Sequence, residues 1–305
     1  MNTQLNAVTE SQIGPEAGTM AAIPGWRRIY WSVRRELWEY RSIYLAPLAV
    51  AGVAVTAFSI SVILGIWEPP LRLNPERPVA PFDSAAALLM ATCILVSVFY
   101  CLDALHGERR DRSILFWKSL PVSDLNVVLA KTSIPLVILP LITFAVTVAM
   151  QWLMLLVGSA AVAVRGMSVS TLWAQLDPLR MWGLLLYHLL TAHALWPAPV
   201  YCWLLLVSGW ARRTAFLWAA LPVLAVAGVE GILFHSSHFI RVVLSHLVGL
   251  AQTAAMAGGR AFPTDAMTRI TPGRYLATPG LWIGLMLAAL FLAAAVRLRR
   301  STGPI

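Results

Sequence analysis

Six long stretches of this chain contain no Asp, Glu, Lys or Arg, and no other feature of the sequence limits the possible folds as strongly. A helix that crosses a bilayer needs about 20 mostly apolar residues, because each residue rises about 1.5 Å and the apolar core is about 30 Å thick. The stretches meet this requirement when the fifth continues past Glu230. We therefore predict six membrane-spanning helices, at about residues 43–67, 84–102, 134–157, 182–207, 214–234 and 278–296.

The composition indicates the same fold class. Hydrophobic residues make up 59% of the 305 residues and charged residues only 12%, about half of the roughly 25% that is usual in soluble domains. So few polar side chains cannot cover so much apolar surface in water, which excludes a soluble globular domain and a disordered or fibrous chain. The sequence predicts an all-α membrane protein. Its cysteines, Cys93, Cys101 and Cys202, lie in or at the ends of apolar stretches, which is typical of small core residues.

Basic residues set the predicted orientation. The formal net charge is +9, and Lys and Arg cluster before the first span, between spans two and three, between spans four and five, and after span six. Because cytoplasmic loops retain Lys and Arg, we predict cytoplasmic termini, and we attribute the charge to this bias rather than to nucleic-acid binding. Residues 1–25 are expected to be a disordered tail without a cleaved signal peptide, and residues 297–305 a second tail.

Residues 26–41, just before the first span, have the pattern of an amphipathic helix. Val33, Leu37 and Tyr40 recur at spacings of three and four, and Arg35 and Glu39 fall on the opposite face. A basic amphipathic helix with aromatic residues is typical of the membrane interface. The alternative is that these residues are the first turns of span one.

Residues 235–277 form the largest predicted outer segment, and we expect short helices in it. Its part 242–259 is uncharged and is a candidate seventh span, but burial of polar groups in lipid is costly and favours an interfacial or re-entrant helix. The charge distribution leaves both open. The segment also holds His235, His238 and His246, which could bind a metal ion, although no carboxylate flanks them closely and we predict no metal site.

The loop between spans two and three, residues 103–131, reads DALHGERRDRSILFWKSLPVSDLNVVLAK. A charged run leads into an apolar knob at 114–117. Pro121 disfavours helix at Leu120, and Ser123 is placed to cap a following helix. This pattern predicts a helix–Pro–helix elbow with an exposed apolar tip, and exposed apolar residues rimmed by charge are typical of a protein interface. The alternative is a hairpin packed on its own bundle.

This loop resembles that of the membrane subunits of ABC-2 type ABC exporters. In that family a Glu-led basic stretch after the second span precedes a few apolar residues, a Leu-Pro-Val-Ser type turn and a helix that ends in Gly/Ala-Lys. The matching positions here are Glu108-Arg109-Arg110, Ile114-Leu115-Phe116, Leu120-Pro121-Val122-Ser123 and Leu129-Ala130-Lys131. Arg112-Ser113 departs from the family's usual Gly-Thr. The six spans, the N-terminal helix and the outer segment extend the resemblance to most of the chain.

The resemblance implies a type V ABC exporter-like fold and a permease that moves an amphipathic or hydrophobic cargo outward across a bacterial cytoplasmic (inner) membrane. Two permease subunits, expected to be a homodimer, would work with two copies of a separate ATPase subunit that binds ATP and Mg. The elbow would be a coupling helix against the ATPase, with the turn 208–214 as a second contact. The ATPase-contact residues implied are Glu108, Arg109, Arg110, Arg112, Ile114, Leu115, Phe116, Trp117, Leu120, Pro121, Arg212 and Arg213.

We expect no enzymatic activity and no cofactor in this chain. It lacks the G-x-x-x-x-G-K-[ST], H-E-x-x-H and G-x-S-x-G motifs, so ATP hydrolysis is assigned to the partner. His188, His193 and Glu230 are polar residues in or near predicted spans and are candidates for the cargo path. Two alternatives stay open. One is an integral membrane enzyme that uses these residues on a lipid-soluble substrate, and the other is an ion-driven secondary carrier, for which intramembrane charges are scarce here.

Overall fold

The computed structural model describes residues 25–67, 80–115, 123–248 and 272–301, and every regular element in these ranges is a helix. Two π-helical segments, Ile134–Ile138 and Leu189–Leu195, directly follow the fifth and eighth helices. The helices in chain order are α1 (Gly25–Glu39), α2 (Ser42–Ile63), α3 (Ala80–Ala104), α4 (His106–Arg110), α5 (Asp124–Ser133), α6 (Leu139–Val164), α7 (Val169–Leu176), α8 (Pro178–His188), α9 (Ala198–Trp210), α10 (Ala215–Phe234), α11 (His238–Val248), α12 (Pro272–Leu276) and α13 (Pro279–Ser301).

The length and apolarity of the helices make this chain an all-α, multi-pass membrane protein. Among the described residues, five continuous helical stretches are long and apolar enough to cross a bilayer. A sixth is obtained if the helical residues Leu172–Leu195 and Ala198–Trp210, which meet at 44°, count as one broken span. The five continuous stretches are Ser42–Ile63, Ala80–Arg110, Asp124–Val164, Ala215–Phe234 and Pro279–Ser301.

The prediction of a separate N-terminal helix is confirmed. α1 ends at Glu39, and a turn at Arg41 separates it from α2. Val33 and Leu37 pack against the bundle, whereas Tyr30, which the helical pattern also places near that face, is 54% exposed. The difference arises because only the last turns of α1 reach the bundle. The placement of α1 at a membrane surface stays a prediction.

Apolar packing around α3 holds the bundle together. α3 contacts α2, α6 and α9, and α9 packs along α13. One core, around the C-terminal half of α3, includes Tyr100, Tyr201 and Leu205. A second core, at the opposite end, includes Phe82 and Met154. Moving a side chain of this size out of water stabilises a fold by about 1.5–3 kcal/mol. Between helices that are already in lipid, van der Waals contact from close packing takes the place of this hydrophobic contribution.

Prolines and a cap determine where the long helical stretches start and bend. Ser123 accepts a hydrogen bond from the backbone N–H of Asn126 at 3.3 Å, which confirms the predicted cap of α5. Pro135 lies in the first π-helical segment, where its missing N–H is tolerated by the altered hydrogen-bond pattern. Pro197 lies in the turn before α9, where the broken span bends. The two π-helical segments contact each other inside the bundle.

α10 and α11 lie at the edge of the bundle. Only Ala215 and Ala219 of α10 are buried, and large side chains such as Phe216 and Ile232 face outward, as expected for a lipid-facing helix. α11 is an 11-residue helix, too short to span by itself. The candidate seventh span at 242–259 extends beyond the described residues. The short helix α7 was not predicted.

The burial of the native cysteines generates a first prediction. Cys93, Cys101 and Cys202 are unpaired and have no measurable exposure. We expect a maleimide to leave them unlabelled in the folded protein in mild detergent and to label all three after unfolding. A cysteine placed at Val164, which is 89% exposed, is the control that must react at once. Rapid labelling of native cysteines in the unaltered chain would contradict this core.

Candidate functional site: a buried charge network

Five charged side chains form a continuous chain of contacts at one end of the bundle, which we call the charge network. Lys131 of α5 donates from Nζ to Oε1 of Glu36 in α1 at 2.8 Å, and the same nitrogen lies 3.2 Å from Oε1 of Glu108 in α4. Arg299 of α13 donates to the other oxygen of Glu108 and, through Nε, to Asp124 Oδ1 at 3.1 Å. The charges alternate in sign, so each cation lies between two carboxylates.

Four members of the charge network are almost completely removed from solvent. Glu36 is 3% exposed, Glu108 2%, Lys131 1% and Arg299 5%. An isolated charge buried in this way costs several kcal/mol, and only opposite charges with good geometry offset the cost. The network therefore requires all of its members to be present together, and it fixes α1, α4, α5 and α13 relative to one another.

Two tyrosines extend the charge network between α1 and α3. The Tyr100 hydroxyl donates to Glu36 Oε2 at 2.8 Å, and the Tyr40 hydroxyl donates to Asp103 Oδ2 at 3.2 Å. Their rings pack edge to face with centroids 5.0 Å apart. Burial, and then the negative charge of Asp103, raise the pKa of Tyr40 well above its usual range. This phenol therefore stays neutral and acts as a hydrogen-bond donor.

α4 is locked against the turn that follows α9. Ser208 Oγ accepts a backbone hydrogen bond at the start of α4, from the N–H of His106 at 2.9 Å. In the other direction, Arg109 Nη1 donates to the carbonyl oxygen of Gly209 at 2.7 Å and to that of Ala211 at 3.2 Å. The two loops predicted to contact a partner, 103–131 and 208–214, are thus joined at their bases into one unit.

The predicted ATPase-contact residues divide into buried and exposed groups. Glu108, Arg109 and Ile114 are between 2% and 5% exposed, and Glu108 and Arg109 bind other parts of this chain. The sequence does not distinguish the buried residues from the exposed ones, because adjacent charged residues in a loop carry no periodicity that indicates burial. The exposed residues are Arg110, Arg112, Leu115, Arg212 and Arg213. Phe116, Trp117, Leu120 and Pro121 lie outside the described residues.

The two histidines of the broken span bond to their own helix rather than to each other. His188 Nδ1 lies 3.0 Å from the carbonyl oxygen of Leu184, and His193 Nδ1 lies 3.4 Å from that of His188. His188 is half-buried and His193 is buried. Each histidine thus uses one ring nitrogen locally, and the role of the two in a cargo path stays a prediction.

Glu230 anchors the outer segment to α10. Its carboxylate accepts hydrogen bonds from the Ser236 hydroxyl and from the backbone N–H groups of His238 at 2.9 Å and Phe239 at 2.8 Å. These N–H groups begin α11 and have no partner within that helix, so the contact is a helix cap made at long range. A role of Glu230 in a cargo path stays a prediction.

The outer histidines are not gathered into one site. His246 stacks on Trp196 with ring centroids 4.9 Å apart, and its Nδ1 lies 2.9 Å from the carbonyl oxygen of Val242. His235 and His238 are exposed at the start of α11. Within the described ranges, no group of three or more His, Cys, Asp or Glu side chains has the geometry to hold a metal ion.

Sequence reasoning missed Glu36, Asp124 and Arg299 as members of the charge network. One signal was available for Glu36: it lies three residues after Val33 and four before Tyr40, on the face that packs against the bundle. An acidic residue within an apolar helical stripe indicates a buried partner. No comparable signal marks Arg299, since its neighbours are also arginines.

Comparison of the chain with protein-family models, with curated proteins and with solved structures found no match.

The charge network generates a second prediction. Glu36→Gln leaves Lys131 buried with one carboxylate fewer, and we expect the free energy of unfolding in mild detergent to fall by about 3–5 kcal/mol. Glu39→Gln is the matched control on the same helix. Its ion pair with Arg35 is partly exposed, so its loss is expected to cost about 0.3–0.5 kcal/mol.

A double variant separates an unpaired charge from a general packing defect. Glu36→Gln combined with Lys131→Met removes both partners, and we expect it to recover part of the lost stability because no buried cation is left short of a carboxylate. Equal losses for Glu36→Gln and Glu39→Gln, measured by denaturant unfolding, would show that the network does not stabilise the bundle.

Proposed function

We propose that this chain is the transmembrane permease subunit of an ATP-driven exporter of the ABC-2 type, acting as a homodimer with a separate ATPase subunit. One observation carries the proposal: the two loops that the resemblance assigns to ATPase contact are joined at their bases. Ser208 and Arg109 make this joint, while Arg110, Leu115 and Arg212 remain exposed around it. A single surface with cationic and apolar side chains suits a protein partner.

The charge network supplies a physical route for coupling in this proposal. A force on the exposed part of loop 103–131 acts on α4, and Glu108 of α4 is bound to Arg299 of α13 and lies against Lys131 of α5. Arg109 transmits the same displacement to the end of α9. Because these contacts are buried and charged, the loop base and the helix ends move together rather than slide, as in a rigid-body transition. The ATP chemistry belongs to the partner, and the cargo is amphipathic or hydrophobic.

The proposed topology has six spans, with the charge network on the cytoplasmic side. The stretch Asp124–Val164 supports this arrangement because its 41 helical residues are about 60 Å long. That length exceeds the roughly 30 Å apolar thickness of a bilayer. In the proposed topology its N-terminal part, with Lys131 in the charge network, extends beyond the membrane on the cytoplasmic side, and Val164 lies at the other end. The membrane is proposed to be the bacterial cytoplasmic membrane.

Labelling from one side of the membrane tests this topology. Arg213→Cys and Val164→Cys place single reactive thiols at opposite ends of the bundle, against buried native cysteines. In intact cells whose outer membrane has been permeabilised, an impermeant maleimide is expected to label Val164→Cys at once and Arg213→Cys only after the inner membrane is opened. Both positions should react in detergent. The opposite pattern would invert the topology, and labelling of both in intact cells would rule out an odd number of crossings between them.

A partner test addresses the exporter itself. Leu115 is 56% exposed beside the charged loop, so Leu115→Asp is expected to reduce co-purification of an ATPase subunit by about tenfold or more, a loss of about 1.4 kcal/mol in binding. Trp117→Asp is expected to act in the same way. Leu179→Asp, which alters a 79% exposed leucine at the start of α8, is the control and should retain the partner.

The readout is quantitative mass spectrometry of the complex purified from its native cell. If the unaltered chain, correctly folded, brings no protein with a nucleotide-binding P-loop, the exporter proposal is wrong. If it does, but Leu115→Asp and Trp117→Asp retain it as fully as Leu179→Asp, the loop is not the contact.

A further inference from the structure

An open groove of about 460 Å³ lies between the C-terminal parts of α9 and α13. Its lining is mainly apolar and contains two tryptophans, which are enriched where a membrane meets water. Polar groups enter the lining only near the end of α13. The side chains that matter here are Trp203, Trp210, Ala294, Leu298, Arg297 and Ser301.

The arginines at the end of α13 point to different surroundings. Arg299 is buried in the charge network, whereas Arg297 and Arg300 are exposed. No carboxylate lies within ion-pair distance of either one among residues 25–67, 80–115, 123–248 and 272–301. Arg300 and Ser301 follow Arg297 by three and four residues, so each lies next to Arg297 on the helix surface. Unpaired positive charge therefore borders the apolar groove.

Further cations adjoin the other side of the groove. Arg212 and Arg213 lie two and three residues after Trp210, and both are exposed. Leu298 approaches Gly209 closely, since a Cβ atom at Gly209 would lie 3.6 Å from Leu298 Cδ2. The turn after α9 and the end of α13 are thus neighbours, and both present arginines beside apolar walls.

We propose that this groove binds an anionic phospholipid, with an acyl chain against the tryptophans and Leu298 and with the phosphate on Arg297 and Ser301. An apolar slot bordered by cations matches a molecule that is apolar along its length and negative at its head. Each arginine near a membrane surface increases the affinity for anionic lipid by about fivefold. The site is independent of the exporter proposal, because it needs no ATPase and no cargo.

Two other occupants fit the groove less well. A second copy of this chain related by twofold symmetry would bring the same cationic end toward itself, and the sequence has 23 Lys and Arg against 14 Asp and Glu. Free phosphate would satisfy the arginines but would leave the apolar walls uncovered. A lipid answers both requirements at once.

The experiment uses the full chain in neutral detergent, with titration of dioleoyl phosphatidylglycerol or dioleoyl phosphatidylcholine and detection of bound lipid by native mass spectrometry. We expect phosphatidylglycerol to bind more tightly than phosphatidylcholine. The double variant Arg297→Gln/Arg300→Gln should weaken phosphatidylglycerol by about 30-fold and leave phosphatidylcholine unchanged. Arg180→Gln, an exposed arginine at the start of α8, is the matched control and should bind like the unaltered chain.

Filling the groove tests the acyl-chain part of the site. Ala294→Trp is expected to reduce binding of both lipids. If this substitution impairs folding, the double variant Arg297→Gln/Arg300→Gln, which alters only exposed side chains, still tests the proposal. Inorganic phosphate and glycerol phosphate at the same concentrations should not compete. The proposal is overturned if they displace the lipid, if both lipids bind equally to the unaltered chain, or if Arg180→Gln weakens binding as much as the double variant does.

Discussion

The carboxylate of Glu108 lies between two buried cations, and the arrangement of helices at one end of this protein depends on it. One of its oxygens lies 3.2 Å from Lys131 Nζ and the other accepts from Arg299. Removing two cations from water is expensive unless carboxylates accompany them. α1, α5 and α13 can therefore pack closely at this end only if α4 brings Glu108 between the cations of α5 and α13. Glu36 and Asp124 complete the alternation of charges.

The same network divides chemically similar residues into structural and surface roles. Arg109 donates to two backbone carbonyls inside the protein, whereas Arg110 next to it is exposed. On α13, Arg299 faces the network and Arg297 lines the groove between α9 and α13. Helical geometry separates neighbours by about 100°, so a run of arginines serves both the interior and the surface. This division leaves a buried, charge-paired base under an exposed cationic surface.

Away from the charged end, apolar packing and proline positions determine the architecture. α3 is central because it contacts α2, α6 and α9 and about half of its residues are buried, whereas only Ala215 and Ala219 of α10 are buried and α10 remains at the edge. One π-helical segment contains Pro135, and the other ends just before Pro197, where the broken span bends by 44°. The two π-helical segments contact each other within the bundle.

The sequence by itself determined the class of fold, the approximate helices and the cap at Ser123, because these depend on local hydrophobicity and on contacts within four residues. It also marked the loop 103–131, on which the proposed function rests. The tertiary structure decided which charges are buried: Glu36 meets Lys131 across 95 positions and Glu108 meets Arg299 across 191. Charge pairing between distant segments leaves no local periodicity, and adjacent residues of the same type differ only in the direction that the folded helix gives them.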